Sequence, residues 1–230
     1  MNKVNVKTEK LDYYVEEAFK SLRTNIQFCG EDKKIIVITS SLPSEGKSSV
    51  SLNLAISLTE AGKRVLFIDA DLRKSVLAGR LKVTGQIKGL THFLSKQEKL
   101  QEIICSTDIN NLYFILAGPT PPNPAELLGG DLFDEMLAVV RKVYDYVIID
   151  SPPLGSVIDS AIIAGKCDGA VLVVASDEVS YRFAQSVKQQ LHKSGCPILG
   201  AVLNKVDRNA TGKYGKYYGK YMKEYKRRSK

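Results

Sequence analysis

Four cysteines in 230 residues, Cys29, Cys105, Cys167 and Cys196, lie far apart with no C-x-x-C pair. That spacing excludes a disulfide framework and a thiolate zinc site, and it fits a reducing cytoplasm. No apolar run approaches the ~20 residues that span a bilayer, and no signal peptide is read at the start. Membrane association is therefore expected only through a surface or a partner. Excess charge is also missing from most of the chain. Residues 1–204 hold 23 basic and 23 acidic side chains, whereas residues 205–230 hold ten Lys or Arg against Asp207 and Glu224. The net charge of +8 thus sits wholly in the tail. At this length, one α/β domain with a full core is expected over residues 1–207, followed by a flexible basic tail over 208–230.

What is present is organised around residues 35–49, a β-branched run from Ile35 to Thr39, a short loop and the start of a helix with apolar Val50, Leu52, Leu54, Ala55 and Leu58. Between them, Glu45-Gly46-Lys47-Ser48 matches the end of the P-loop pattern G-x-x-x-x-G-K-[ST], with Ser41 where the pattern has its first Gly. The chemistry needs this order. Glycine lets backbone N–H groups turn onto phosphate oxygens, the lysine reaches the terminal phosphates, and the next hydroxyl sits on Mg²⁺. Ser41, Ser44, Glu45, Gly46, Lys47, Ser48 and Ser49 are the candidate nucleotide contacts.

Two further strands end in acids. Arg64–Ile68 runs into Asp69-Ala70-Asp71-Leu72-Arg73, and Tyr146–Ile149 runs into Asp150-Ser151-Pro152-Pro153, which has the form of a Walker B element. Carboxylates just past strand ends lie at the edge where open parallel sheets bind ligands. Helices are expected over about 12–28, 90–94, 99–104, 125–128, 132–143, 158–166 and 180–193, and strands over 112–116, 170–175 and 198–203. A turn region is expected around Gly79 and Gly85, and residues 1–11 are polar and expected to fray. Alternation of strands and helices argues for a mostly parallel sheet covered on both faces. The last strand enters Asn204-Lys205-Val206-Asp207, spelled like the guanine-reading N-K-x-D, or simply a loop beside whichever base is bound; Asn204 is the candidate contact.

Five tyrosines, Tyr214, Tyr217, Tyr218, Tyr221 and Tyr225, are interleaved with lysines in the tail. Lys and Tyr so mixed suit single-stranded nucleic acid or an anionic membrane, or the hydroxyls are themselves phosphoryl acceptors. Five phosphates would add about −7.5 to −10 charges and cancel the tail's excess. A nucleic-acid role leaves the strand-end acids without a purpose.

Taken together, these features resemble the bacterial tyrosine kinases (BY-kinases) of the soluble capsule-assembly type, from Glu17 to Tyr225. The resemblance implies a P-loop NTPase fold, ATP and Mg²⁺, a Walker A loop at Ser41–Ser48, a second Asp-x-Asp-x-Arg element at Asp69–Arg73, a Walker B at Asp150–Pro153, and the tail tyrosines as autophosphorylation targets. It implies a ring-like homo-oligomer, such as an octamer, built by an E-x-x-R-x-x-R helix matched by Glu17, Lys20 and Arg23, with Lys20 in place of an Arg. It also implies activation by the cytoplasmic segment of a membrane protein, recruitment to the inner face of the membrane, and other proteins as substrates. On the residues, Lys47 holds the terminal phosphates, Ser48, Asp71 and Asp150 position Mg²⁺, Asp69 is the candidate base, and Arg73 steadies the acids or touches phosphate. In sequence the three aspartates are interchangeable between base and metal ligand. The alternative reading is a partitioning ATPase of the MinD/ParA group; Leu42 occupies the position of that group's signature lysine.

Overall fold

Short β-branched runs become strands here because both of their faces are covered, as a parallel sheet under two helix layers requires. The computed structural model describes residues 2–6, 10–83 and 88–207. The elements begin with β1 (Asn2–Val6), α1 (Tyr13–Phe28), β2 (Ile35–Ser40), α2 (Lys47–Glu60), β3 (Val65–Asp69), α3 (Leu77–Arg80) and β4 (Leu81–Val83). There follow α4 (Leu90–Leu94), α5 (Leu100–Ile103), β5 (Ile104–Thr107), β6 (Leu112–Ile115), α6 (Pro124–Gly129) and α7 (Asp131–Val143). The last are β7 (Tyr146–Asp150), α8 (Asp159–Ala164), β8 (Gly169–Ala175), α9 (Tyr181–Lys193) and β9 (Ile198–Asn204). No described helix is long and apolar enough to cross a membrane.

The sheet has the order β4-β1-β5-β6-β3-β7-β2-β8-β9. From β6 to β9 every neighbouring pair is parallel. The departures lie at the other end, where β5 is antiparallel to β6 and β4 antiparallel to β1. Alternate residues of the central strands feed two cores. Ile35, Val37, Leu66, Ile68, Val147 and Ile149 pack with residues of α7, α8 and α9, while Ile36, Ile38, Phe67 and Ile148 pack with α1 and α2. Phe67 stacks on Phe114 across β3 and β6 with ring centroids 4.9 Å apart. Asp12 caps α1 by accepting from the N–H groups of Tyr14 and Val15. Because β2, β3, β7, β8 and β9 run in one direction, the loops that follow them all emerge along one edge, and that edge carries the chemistry.

Two expectations fail. Residues 2–6 do not fray: β1 pairs with β5 and β4, and Val4 and Val6 are buried in the core beneath α1 and α2. Gly79, expected in a turn, lies within the short helix α3. The first result has a measurable consequence. Val4→Asp would place an unpaired carboxylate at a fully buried point, and is expected to lower the unfolding free energy by ~3 kcal/mol. A urea titration reads this as a lower midpoint at unchanged slope; a frayed terminus would give no shift.

Candidate active site

The loop after β2 turns because two of its residues adopt positive φ, Ser44 at 67° and Gly46 at 87°. Gly46 is required twice over: a Cβ there would lie 2.1 Å from Asn204 Nδ2, on a backbone that L-residues rarely adopt. The loop is braced from behind. Buried Glu45 accepts the Leu42 N–H through Oε2 (2.6 Å) and the Ala175 N–H through Oε1 (2.9 Å), tying the loop to β8. Asn204, at the end of β9, donates from Nδ2 to the Glu45 carbonyl at 2.8 Å. Two expected nucleotide contacts, Glu45 and Asn204, therefore use these side-chain atoms to shape the loop. Ser48 and Ser49 sit in the first turn of α2, and Ser44 is exposed on the loop. Gly46→Ala is expected to weaken nucleotide binding at least tenfold in a fluorescent-nucleotide titration, since it adds left-handed strain of ~1–2 kcal/mol to the clash.

Lys47 opens α2, and its buried ammonium meets Asp150 Oδ1 at 3.3 Å, Ser48 Oγ at 3.2 Å and Asp71 Oδ2 at 3.9 Å. Ser51, one turn along α2, donates to Asp150 Oδ1 at 3.1 Å. Burial pushes the Asp150 carboxyl up, and Lys47 is the main group holding it down. Asp69 is buried beside them. Burial first, then the charge of Asp150, push its carboxyl from 3.8 up to about 7. Ser75 Oγ donates to Asp69 Oδ2 and the Asp71 N–H to Oδ1.

Two carboxylates, Asp71 and Asp150, meet the one ammonium of Lys47, with Asp69 buried nearby, which leaves the site short of positive charge, and the buried Ser41 hydroxyl has no partner. Both observations fit a magnesium nucleotide. Among the described residues no three acidic, histidine or cysteine side chains close around a cation by themselves. The donor set of Ser48, Asp71 and Asp150 therefore suits Mg²⁺, which keeps waters and shares phosphate oxygens, better than an ion needing an all-protein cage.

Comparison with known proteins settles the family. A model of the AAA domain family matches residues 33–193. The chain is 43% identical over 228 residues to the tyrosine-protein kinase CpsD of Streptococcus pneumoniae, covering 97% of this chain and 100% of that protein. It is 46% identical over 204 residues to the tyrosine-protein kinase CpsD of Streptococcus agalactiae, covering 88% of this chain and 89% of that one. The chain belongs to the bacterial tyrosine kinases. Its fold is similar to the kinase domain of the Escherichia coli tyrosine kinase ETK, with a TM-score of 0.81 at 32% identity, covering 86% of this chain and 78% of that one.

The kinase is thus a P-loop nucleotide-binding enzyme that phosphorylates tyrosine, and the sequence resemblance stands over the partitioning-ATPase alternative. Arg73 feels the charge of Asp71, but its direct partner is a fourth acid. Its guanidinium grips Asp159 at the start of α8 through Nε (2.7 Å) and Nη2 (2.9 Å), so it ties the loop after β3 to the loop after β7. Asp159, Ser51 and Ser75 are the parts of the kinase site that sequence reasoning missed. On α1, Lys20 pairs with Glu17 at 2.6 Å at the surface, while Arg23 turns to α2 and donates to the Ser57 carbonyl at 2.6 Å. Tyr214, Tyr217, Tyr218, Tyr221 and Tyr225 lie outside the described residues.

Proposed function

We propose that this kinase transfers the γ-phosphoryl group of ATP to the tyrosine cluster of a second copy's tail, as part of capsular or exopolysaccharide synthesis. Lys47 and the loop amides hold the β- and γ-phosphates, with Ser41 closing on the nucleotide from the loop's start. Ser48, Asp71 and Asp150 would hold Mg²⁺, which when bound would neutralise charge on the phosphate oxygens. The tyrosine oxygen attacks the γ-phosphorus, the bond to the β–γ bridging oxygen breaks, and the phenolic proton passes to Asp69. The observation that carries this reading is the cluster at the strand ends, where Lys47 meets Asp150 at 3.3 Å and Asp71 at 3.9 Å, and buried Asp69 accepts the Asp71 N–H beside them. A phenol near 10 needs an acceptor, and a carboxylate near neutrality is a competent one.

The remaining roles are assigned on the resemblance and on α1. Glu17, Lys20 and Arg23 contribute to a ring of copies, with Arg23 acting through its hold on α2, and Lys20 supplies a point charge where Arg would supply a fork. A groove lined by Leu11, Phe19, Lys20 and Ile56 between α1 and α2 is the neighbouring seat. The cytoplasmic segment of a membrane protein activates the kinase and brings it to the inner face of the membrane; other proteins are also substrates.

The test is incubation with ATP and Mg²⁺, with and without such a membrane helper, followed by phosphotyrosine detection on the parent and on a chain truncated after Ala210. Label on the parent and none on the truncated chain is expected. Nucleotide hydrolysis with no labelled tyrosine in either would overturn the reading. GTP in parallel tests the N-K-x-D spelling.

A further inference from the structure

Asp69 and Asp150 face one another in register across β3 and β7, and the Ala70 N–H still donates to the Asp150 carbonyl at 2.8 Å. There the ladder ends. Asp71 lies beyond it, so strand pairing sets where Asp69 and Asp150 stand and leaves Asp71 to other contacts. Leu72 anchors the segment in the apolar core. Its nearby polar bonds are local, with the Asp71 N–H on Asp69 Oδ1 at 3.2 Å and the Lys74 N–H on Asp71 Oδ1 at 3.0 Å. Lys47 stands 3.9 Å from Asp71, too far for a hydrogen bond. The tie that reaches furthest along the chain is Arg73, whose fork closes on Asp159 86 residues away.

The far end of that tie is fixed. Asp159 and Ser160 open α8, and both are fully buried. Ser160 Oγ donates to the Pro152 carbonyl, which also accepts from Thr39 Oγ1 at 2.9 Å. Between Asp150 and Pro152, the Ser151 N–H donates to the Ile38 carbonyl at 3.1 Å. The first turn of α8 is therefore bolted to the segment that carries Asp150, and Arg73 reaches it from the segment that carries Asp71. A buried carboxylate needs its cation. Yet apolar residues of similar volume often serve stability as well as such a pair or better, so stability alone does not account for it.

We infer that Asp159, acting through Arg73, is a positioning residue for phosphoryl transfer: it is the strut that sets Asp71 against Asp150, and so the fit of Mg²⁺ between them. The inference rests on the reading of Asp71 and Asp150 as Mg²⁺ ligands given above. In this role Asp159 bonds to Arg73 and not to the metal. The planar fork fixes direction as well as distance, which a lysine at the same place would not. Mg²⁺ demands near-ideal octahedral oxygens, whereas Ca²⁺ accepts looser ones, so a loosened strut weakens the first ion selectively.

The experiment titrates full-length chains with a fluorescent ATP analogue at varied Mg²⁺, at varied Ca²⁺ and in EDTA. The variants are Asp159→Asn, Arg73→Lys, Asp71→Asn and the control Arg141→Met, which breaks the Arg141–Asp168 pair at the opposite edge of the sheet. Asp159→Asn is the gentler cut, since the Arg73 side chain it leaves is 41% exposed, whereas removing Arg73 would strand a buried carboxylate. Asp159→Asn is expected to raise the Mg²⁺ concentration for half-maximal nucleotide binding about tenfold, and Arg73→Lys about threefold. Half-saturation by Ca²⁺ and the affinity in EDTA should stay within about a factor of two of the parent, and the control should match the parent throughout. A pair that only stabilises the fold would lower the urea midpoint and leave the Mg²⁺ dependence alone. Parental Mg²⁺ dependence in folded Asp159→Asn overturns the inference, as does an equal rise in the control or an equal loss of affinity in EDTA. Should Asp159→Asn not fold, Arg73→Lys, which keeps a cation opposite the buried carboxylate, decides by the same criterion. Asp71→Asn separates the two levels. If it keeps the parent's Mg²⁺ dependence, the metal assignment falls and takes the strut with it; if it loses that dependence while Asp159→Asn does not, only the strut falls.

Discussion

Lys47→Met is expected to abolish tyrosine labelling and, in the same protein, to destabilise the nucleotide-free fold in a pH-dependent way. The catalytic loss follows from removing the cation proposed to hold the terminal phosphates, an effect of the order of 10²–10³ or more for a single preorganised donor. The stability effect follows from what the ammonium does when no nucleotide is present. It sits 3.3 Å from Asp150, a carboxylate with 1% exposure. Breaking such a buried pair from one side costs ~3–5 kcal/mol, because the other charge is stranded. Asp150 is already pushed up by burial, with Lys47 opposing. Without Lys47 it rises further and stays protonated in the native state to higher pH. The native state then binds more protons than the unfolded one above the ordinary carboxylate range, so the variant loses stability as pH rises. Urea titrations should show a larger deficit at pH 8 than at pH 5. The double variant Lys47→Met/Asp150→Asn should recover most of the stability and none of the activity, since it removes the stranded charge but not the need for the cation. A single variant as stable as the parent at both pH values would mean that the pair is not formed in solution.

The partners in that cluster show where sequence reasoning reaches and where it stops. The strands ending in Asp69 and Asp150 were legible because a run of buried apolar residues on both faces has no other use in a chain of this size, and the P-loop between β2 and α2 was legible because its residues are contiguous. Ser51 was not, since it meets Asp150 across 99 residues, nor was Asp159, which meets Arg73 across 86. No local spacing encodes such pairs; only the packing of α2 and α8 against the strand ends brings them together. The residue types were informative and their partners were not: Arg73 could be read as a cation that must find an anion, but the anion is Asp159. Glu45 shows the converse. It was legible as part of a phosphate-cradling loop, yet its carboxylate is buried by holding two backbone N–H groups. The strand β1 was missed because Asn2–Val6 alternates polar with apolar residues, offers only Val4 and Val6 to the core, and pairs with β4 and β5, which lie far along the chain. The weak regularity of β5 hid it in the same way, so the antiparallel part of the sheet escaped while the parallel part was read in order.

Asp69→Asn tests the proposed division of the three aspartates, which sequence leaves interchangeable, into one proton acceptor and two metal ligands. Its amide keeps the size of the carboxyl, with Oδ1 accepting the Asp71 N–H and Nδ2 donating to the Ser75 hydroxyl, so the site keeps its shape, whereas the capacity to take the phenolic proton is lost. Labelling of tyrosine is expected to fall by about 10²–10⁴ with nucleotide affinity nearly unchanged. The corresponding Asp71→Asn and Asp150→Asn variants should instead lose activity together with the Mg²⁺ dependence of nucleotide binding. Stability supplies an independent reading. In the parent, Asp69 titrates at about 7 when folded, against 3.8 for the ordinary group. A carboxyl raised on folding is bound to more protons in the native state between those limits, so the parent should lose stability as pH rises from about 4 to 7 and gain nothing above. Asp69→Asn removes that loss. It should therefore unfold at higher urea than the parent at pH 8, and that advantage should shrink as pH falls and vanish near pH 4. An asparagine variant that labels tyrosine within tenfold of the parent would transfer the acceptor role to Asp71 or to water. One that is inactive but less stable than the parent at pH 8 would show that the Asp69 carboxylate is held in the native fold by a positive charge rather than raised by burial.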